Sequence, residues 1–532
     1  MLYRPAAARL WDTWLVHDKG LWHLFHIRIS AGHNGLWNGI SVATSPDLVH
    51  FTEAGPVLEK VAESNWLGTG SVTRVGDRWV MNFSEEQTGE PKAQVIRFAE
   101  SRDLTRGWTR IPGVQSEADP RWYESVHAPI AEPSPRWDSI SATEVPGRSG
   151  GRFVGFLTAN AVHAKRGASG TVGMCESDDA VHWRALPPPL APGLFTNCEV
   201  VEHCAFGDRH YLVFCTNTGA GIRHDPLALG GSGGTHFVVG DAVEGPYRLP
   251  PGDSMLQGTR QDDNVFALIV GRPVPDGDGG WLYSHHWASP NDAPSGWWGP
   301  MKRLVERRAW QLGLDWWPGN ERLKGEVLGR GVARGTLVPM KPFFQVPVAA
   351  WEERDGEAVV RDDGGCAAAD WLLPGLDNTA TTESPGDLRD GRIWECGVRL
   401  DDGAALGLWF GTTPMPGLKQ GPAAGMGPQP GDWRLAVLLN AQAQRLEFVR
   451  LMRSLGPSLV VQRHLGGVPW PVARGVTHRL RVLVRRECIE AYVDDHYAHG
   501  VVIAEGFDTS RCGFVTDRAS GVFRQPALWR MQ

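Results

Sequence analysis

DKGLWHLFHI, residues 18–27, is the stretch that decides how the chain reads. Asp-Lys-Gly is a tight turn, because glycine accepts the positive φ that a two-residue hairpin needs. The run behind it is aromatic and aliphatic, the composition of a strand. The same unit returns as VGDRWVMNFS (75–84), GGRFVGFLTA (150–159), FGDRHYLVFC (206–215) and DGGWLYSHHW (278–287). A second unit follows three of them: ATSPDLVHF (43–51), AESRDLTRGW (99–108) and CESDDAVHW (175–183). Each starts on a small residue, passes through Ser and Asp, and ends on an aromatic. The fourth and fifth copies degrade to GDAVEGPY (240–247) and ASPNDAPSGWWGP (288–300).

A repeat of turn and strand is one small antiparallel sheet that cannot bury its own faces. Packing five around an axis buries them and leaves only short edges. Residues 1–325 therefore read as a five-bladed β-propeller, with helical periodicity nearly absent. From about 326 the repeat stops. LGRGVARGTLVPMKPFFQVPVAAW (328–351) reads as a linker, bounded as 326–350. Residues 351–532 then read as a β-sandwich, from the alternating runs RIWECGVRL (392–400), AALGLWFGT (404–412), WRLAVLLN (433–440), RLEFVRL (445–451), HRLRVLV (478–484), CIEAYVDD (488–495) and CGFVTD (512–517). The expected fold is all-β, a five-bladed β-propeller followed by a C-terminal β-sandwich.

Composition narrows the function. The 532 residues carry a net charge of −7 and no basic tract, which disfavours nucleic acid and anionic membrane as partners. No stretch is long and apolar enough to span a bilayer. Eight cysteines lie scattered, with no CxxC pair and no Cys/His spacing, so no metal site is expected and free buried thiols are. The start MLYRPAAARLWDTW lacks a secretory signal, which makes the cytoplasm the expected location.

In a propeller the innermost strands run along the axis, so the residues just ahead of each glycine turn converge. Ahead of the five turns stand Asp12, GTGS (68–71), RWDS (136–139) with Asp138, TNCEVVEH (196–203) with Glu199, and QDDN (261–264). Three blades thus offer a carboxylate at comparable places. Like charges raise one another's pKa, so such a cluster is costly unless solvated, paired or functional. Two carboxylates about a glycosidic bond are the standard device for sugar hydrolysis, one protonating the leaving oxygen and the other attacking or activating water. Glu199, in a Cys-Glu-Val-Val setting, suits a raised pKa, and Glu202 would face the opposite side of its strand. Trp11, Trp14, Trp66 and Trp137 are candidate walls for stacking on sugar. Ser71, Arg136, His203 and Asp263 complete the expected substrate-binding set. Asp18, Asp77 and Asp208 sit in the turns and read as turn formers; Asp47, Asp103 and Asp179 recur at one repeat position and read likewise.

On these residues the sequence resembles glycoside hydrolase family 32, the fructofuranosidases. LWDTWLVHDKGLWHLFH is similar to the family's N-terminal block, SPDLVHF (45–51) to its Asp-Leu-Val-His-Trp segment, and HRLRVLVRRECIEAYVDD (478–495) to a segment of its sandwich. The resemblance implies a five-bladed catalytic propeller with a C-terminal sandwich. It implies Asp12 as nucleophile, Asp138 as the transition-state-stabilising aspartate and Glu199 as acid/base. Gly70 and Ser71 match the end of the family's Phe-Ser-Gly-Ser block. The family's Arg-Asp-Pro is here Arg136-Trp137-Asp138-Ser139, and its Glu-Cys-Pro is Cys198-Glu199-Val200. The implied substrate is an oligosaccharide or small furanoside, most simply a β-fructofuranosyl linkage cleaved with retention, and no cofactor is implied. Two alternatives stand beside it: an inverting arabinofuranosidase of the family 43 type, and a non-catalytic carbohydrate-binding propeller. The sandwich leaves sugar binding and homo-oligomer formation open.

Overall fold

The computed structural model describes residues 3–6, 8–30, 37–88, 94–125, 136–148, 151–162, 164, 169–216, 233–260, 263–264, 269–288, 296–340, 349–362, 364–373, 376, 391–413, 433–453, 459–485, 487–503 and 507–532. Nearly all of this is strand. Pro318–Leu323, a 3-10 turn, is the one helix among the described residues. The chain divides into two compact units. One holds Leu2–Gln261 and Ala267–Gly319; the other holds Asn320–Gln532 together with Asp262–Phe266 and Met1.

In the first unit the strands come in successive antiparallel groups. β1 (Ala8–Asp18), β2 (Leu21–Ser30), β3 (Gly39–Ser45) and β4 (Thr52–Glu59) pair in chain order. So do β5 (Ser64–Val75), β6 (Arg78–Gln87), β7 (Gln94–Ser101) and β8 (Thr109–Arg110), and then β9 (Trp137–Glu144), β10 (Phe153–Asn160), β11 (Gly170–Ser177) and β12 (Arg184–Leu186). β13 (Glu199–Phe206), β14 (Arg209–Thr216), β15 (Gly234–Gly240) and β16 (Tyr247–Arg248) follow, with β17 (Met255–Gly258) on β15. The last group is β18 (Ile269–Pro275), β19 (Trp281–Ala288), β20 (Gly296–Trp298), β21 (Lys302–Arg308) and β22 (Gln311–Trp316).

The repeated turn is the hairpin between the first two strands of a group. Lys19 and Gly20, at φ 49° and 78°, make a two-residue loop between β1 and β2. Gly76 and Gly207, at φ 63° and 64°, open equivalent loops with Asp77 and Asp208. The second repeat unit is a capped turn. Asp47 Oδ1 accepts from the Val49 and His50 amides at 3.0 and 2.9 Å, and Asp179 Oδ1 accepts from Val181 and His182 at 2.9 and 2.8 Å. These aspartates are consumed by their turns.

Core clusters join each group to the next. Trp14, Phe25 and Ile40 pack with Leu67, Met81 and Phe83, and Phe98 packs with Trp137 and Phe153. Phe156 and Met174 pack with Val201, Leu212 and Phe214; Val200 and Cys215 pack with Val270. A last cluster joins Leu10, Trp22 and Leu24 to Val274, Leu282 and Trp298, where Leu10 of β1 also pairs with Gly296 of β20. The first and last groups are thus neighbours, as burial of both faces of every sheet requires.

The second unit has one large core, including Trp371, Trp394, Leu408, Phe448, Val482 and Phe514. The runs 392–400 and 404–412 form a single strand, Arg392–Thr413, bent where its register slips between Leu400 and Asp402 and where Gly403 takes φ 95°. Its first half pairs with Thr477–Arg485 and its second with Trp433–Asn440, while Gly513–Met531 lies along its length. A strand that bends and changes neighbour serves both faces of a core. The stretch 326–350, read from sequence as a linker, carries strand here: Lys324–Arg330 pairs with Gly513–Met531, and Leu337–Pro339 pairs with Cys366–Trp371. All eight cysteines are buried and free.

Candidate active site

Four first strands share one irregularity. β1 slips register between Leu10 and Thr13, β5 between Leu67 and Gly70, and β13 between Glu199 and Glu202. β9 slips opposite Phe156 and Thr158, just past Asp138. In β9 and β13 the residue after the acid carries the kink: Ser139 at φ 43° and Val200 at φ 56°. A bulge adds one residue, bends the strand and re-aims its side chains. β18 pairs with β19 without any slip from Ile269 to Pro275. The bulges fall at Asp12, Thr69, Asp138 and Glu199.

Asp12 is buried, and Thr69 donates its hydroxyl to Oδ2. His286 of β19 is wholly buried with Nε2 3.5 Å from Asp12 Oδ1. Burial drives the His286 pKa down to about 3, helped by His285 and Arg272, so the ring is neutral. Asp138 accepts from the Ser84 hydroxyl, which also receives the Ser139 amide at 3.1 Å. Arg136 bridges the other two acids, with Nη2 2.9 Å from Asp138 Oδ2 and Nη1 2.7 Å from Glu199 Oε1. Burial works against the Arg136 charge, but Glu199 and Asp138 outweigh it and raise its pKa. Asp12 is the carboxyl that the site pushes up, to about 7. Burial is the main cause; the charges of Glu199 and Asp138 add to it, against the Thr69 hydrogen bond and Arg272. The three acids therefore interact electrostatically, although 187 residues of chain separate the first from the last.

An aromatic wall runs beside Asp12. The Trp11 ring stacks on Trp37 at 6.4 Å and meets His286 edge-on at 5.5 Å, and Trp37 meets Trp66 at 5.6 Å. All three indoles are partly exposed. Gly68 keeps Trp66 in place, because a Cβ there would come within 2.7 Å of its Cζ3.

Several expected residues lie elsewhere. Trp14 is core, stacked on Phe25 at 5.9 Å, and Trp137 is core, against Tyr123 at 5.0 Å with its indole N–H on Ser116 Oγ. Each alternates to the inward-packing face of its sheet. Ser71 donates its hydroxyl to the Ile140 carbonyl and accepts from Asn82, tying β5 to β9. His203 is held between Thr143 and His210, at 3.2 and 3.0 Å, and stacks on Phe156. Asp263 belongs to the other unit, where Oδ1 accepts the Gly467 amide at 3.0 Å and Oδ2 lies 3.0 Å from His499 Nε2. Glu202 was expected to face away from Glu199. The bulge at Val200 resets the alternation, and Glu202 binds Ser141 of β9 and Arg272 of β18. Trp37 and Arg272 were not singled out from the sequence and carry no local signal. Thr69, Ser84 and His286 lie within stretches that were read, Thr69 in GTGS (68–71), Ser84 and His286 in the repeated turn-and-strand unit, and His286 was read only as a histidine that faces the channel.

No family model matches the sequence, and no curated protein matches it either. Solved structures do match in fold. A Bombyx mori family GH32 β-fructofuranosidase matches over 99% of this chain and 92% of its own, with TM-score 0.62 and 11% identity. A sucrose-6-phosphate hydrolase from Lactobacillus gasseri matches over 99% and 93%, with TM-score 0.62 and 13% identity. A fructofuranosidase from Schwanniomyces occidentalis, solved with fructose, matches over 99% and 97%, with TM-score 0.59 and 13% identity. At such identities the likeness establishes a common fold.

Proposed function

We propose that the chain is a retaining glycoside hydrolase or transglycosylase that acts on a β-fructofuranosyl linkage. In this reading residues 1–325 form a five-bladed catalytic propeller and 351–532 a sandwich. The observation that carries it is the convergence of Asp12, Asp138 and Glu199 from three bulged first strands, beside a wall of indoles, in a fold shared with fructofuranosidases. Asp12 attacks the anomeric carbon. Glu199 protonates the leaving oxygen and then deprotonates the incoming water or acceptor hydroxyl. Asp138, oriented by Ser84 and Arg136, binds ring hydroxyls and stabilises the oxocarbenium-like transition state. Trp11, Trp37 and Trp66 offer faces for the sugar C–H surfaces.

The active ionisation state has Asp12 as carboxylate and the proton on Glu199. Incubation with sucrose, inulin, levan, difructose anhydrides and arabinofuranosides, with the product anomer followed by NMR, tests the reading. Release of fructose with retention, abolished in Asp12→Asn and in Glu199→Gln, is the expected result. Inversion on an arabinofuranoside would move the chain to the other furanosidase class. Sugar binding without turnover in the wild type would make it a binding propeller.

A further inference from the structure

Arg272 stands at the one first strand that has no bulge and no acid. Its side chain is almost wholly buried, and it touches three other groups of strands at once. Nη1 donates to the Thr13 carbonyl at 3.3 Å and to the Gly70 carbonyl at 3.2 Å. Thr13 follows Asp12, and Gly70 follows Thr69, the donor to Asp12. Nε lies 2.7 Å from Glu202 Oε1, Nη2 binds the same oxygen, and Ser141 of β9 donates to Glu202 Oε2. One guanidinium thus clamps the backbones that carry Asp12 and Thr69 to a carboxylate on the strand of Glu199.

We infer that Arg272 and Glu202 form a positioning pair that sets where Asp12 sits and how readily it ionises, acting on the proposed nucleophile without touching substrate. The inference rests on the reading of Asp12 as nucleophile. The physical reasons are two. Arg272 donates to a backbone carbonyl at each of the two bulges, in an interior where a polar group needs its partners. And Arg272 is the cation whose charge acts on Asp12, opposing burial, Glu199 and Asp138. The groups facing Asp12 are Thr69 from β5, Asp138 from β9, Glu199 from β13, Arg272 from β18 and neutral His286 from β19. Arg136 is engaged by Asp138 and Glu199, and Glu202 shares the charge of Arg272. Glu202 therefore acts as a brake: it holds Arg272 in place and takes part of its field from Asp12.

The two partners are separated by the sign of their effects. Arg272→Gln removes the cation that opposes the rise of the Asp12 pKa and is expected to move the acid limb of kcat/KM up by about one pH unit. Glu202→Gln frees the Arg272 charge and is expected to move the limb down. The double variant is expected to fall between them. A lesion that only loosens the fold lowers kcat or stability without moving the limb in opposite directions. A second readout needs no activity: the pH at which Asp12→Asn begins to stabilise each background in thermal unfolding reports Asp12 directly. Equal or same-direction shifts in both readouts would overturn the inference. Opposite shifts in unfolding, with no furanoside turned over by the wild type, would uphold the pair and reject the enzyme reading. If Arg272→Gln fails to fold, Arg272→Lys, which keeps the charge but not the fork, is expected to hold the limb near the wild-type pH and lose kcat. A limb that moved up in the lysine variant would also overturn it.

Discussion

Asp12 is the proposed nucleophile, and its environment makes two measurable demands. Its pKa, near 3.8 when exposed, is raised to about 7 in the folded protein. A group raised in this way stabilises the fold fully below about pH 4, and that contribution is lost as pH rises through about 7. Asp12→Asn should therefore raise the unfolding temperature at pH 8, by a stability difference on the order of 3 kcal/mol, and change it little at pH 4. Thermal unfolding across pH checks this. With Asp12 as the proposed nucleophile and Glu199 carrying the proton, kcat/KM of the wild type should climb as pH rises through about 7, where Asp12 becomes a carboxylate. A flat profile from pH 5 to 9 would remove Asp12 from the nucleophile's role. Gly68 makes a separate demand: Gly68→Ala would press a methyl into Trp66. If the indole wall holds sugar, KM should rise by about tenfold with a smaller change in kcat.

At the scale of elements, the bulges matter more than the strands. A straight strand alternates, so acids at i and i+3 face opposite sides. Glu199 and Glu202 break that rule only because Val200 sits at φ 56°, and Asp138 is aimed by its neighbour Ser139 at φ 43°. Ser139→Gly should keep both fold and activity, since glycine accepts positive φ and the change stays within about 1 kcal/mol. Ser139→Pro forbids that φ and removes the amide that binds Ser84. Activity should fall by about 100-fold or more, the usual result of displacing a reacting group. Unfolding and initial-rate measurements on the two variants separate them. The alternation of apolar residues made the strands legible in the sequence, but a bulge has no such mark. Asp12, Asp138 and Glu199 were legible because they precede repeated turns. Glu202 was misread because the alternation was followed through a kink.

Across the whole molecule, the corrections come from residues whose partners are far away in sequence. Asp263 stands ahead of the last repeated turn, which made it a channel residue by analogy. Its side chain is instead buried beside His499 and Gly467, more than 200 residues on. Asp263→Ala should cost stability of about 2 kcal/mol, from an amide and an imidazole left in the interior, with kcat and KM unchanged. A loss of activity at unchanged stability would return Asp263 to the sugar site. Ser71, His203, Trp14 and Trp137 followed the same course: each lies on the right strand, and each is spent on a neighbouring sheet. Such pairings arise from packing and leave no local pattern.

The sequence by itself determined the repeating turn-and-strand unit, the all-β class and the three acids, because turn chemistry, strand alternation and a shared position relative to a glycine turn are local properties of a chain. Only the tertiary structure decided that Asp12 is driven to a raised pKa, which indoles are open to a ligand, and that Arg272 and Glu202 reach the same centre. Those outcomes depend on burial and on charges brought together from four separate stretches of chain, and a pKa is set by its three-dimensional surroundings, not by its neighbours in sequence.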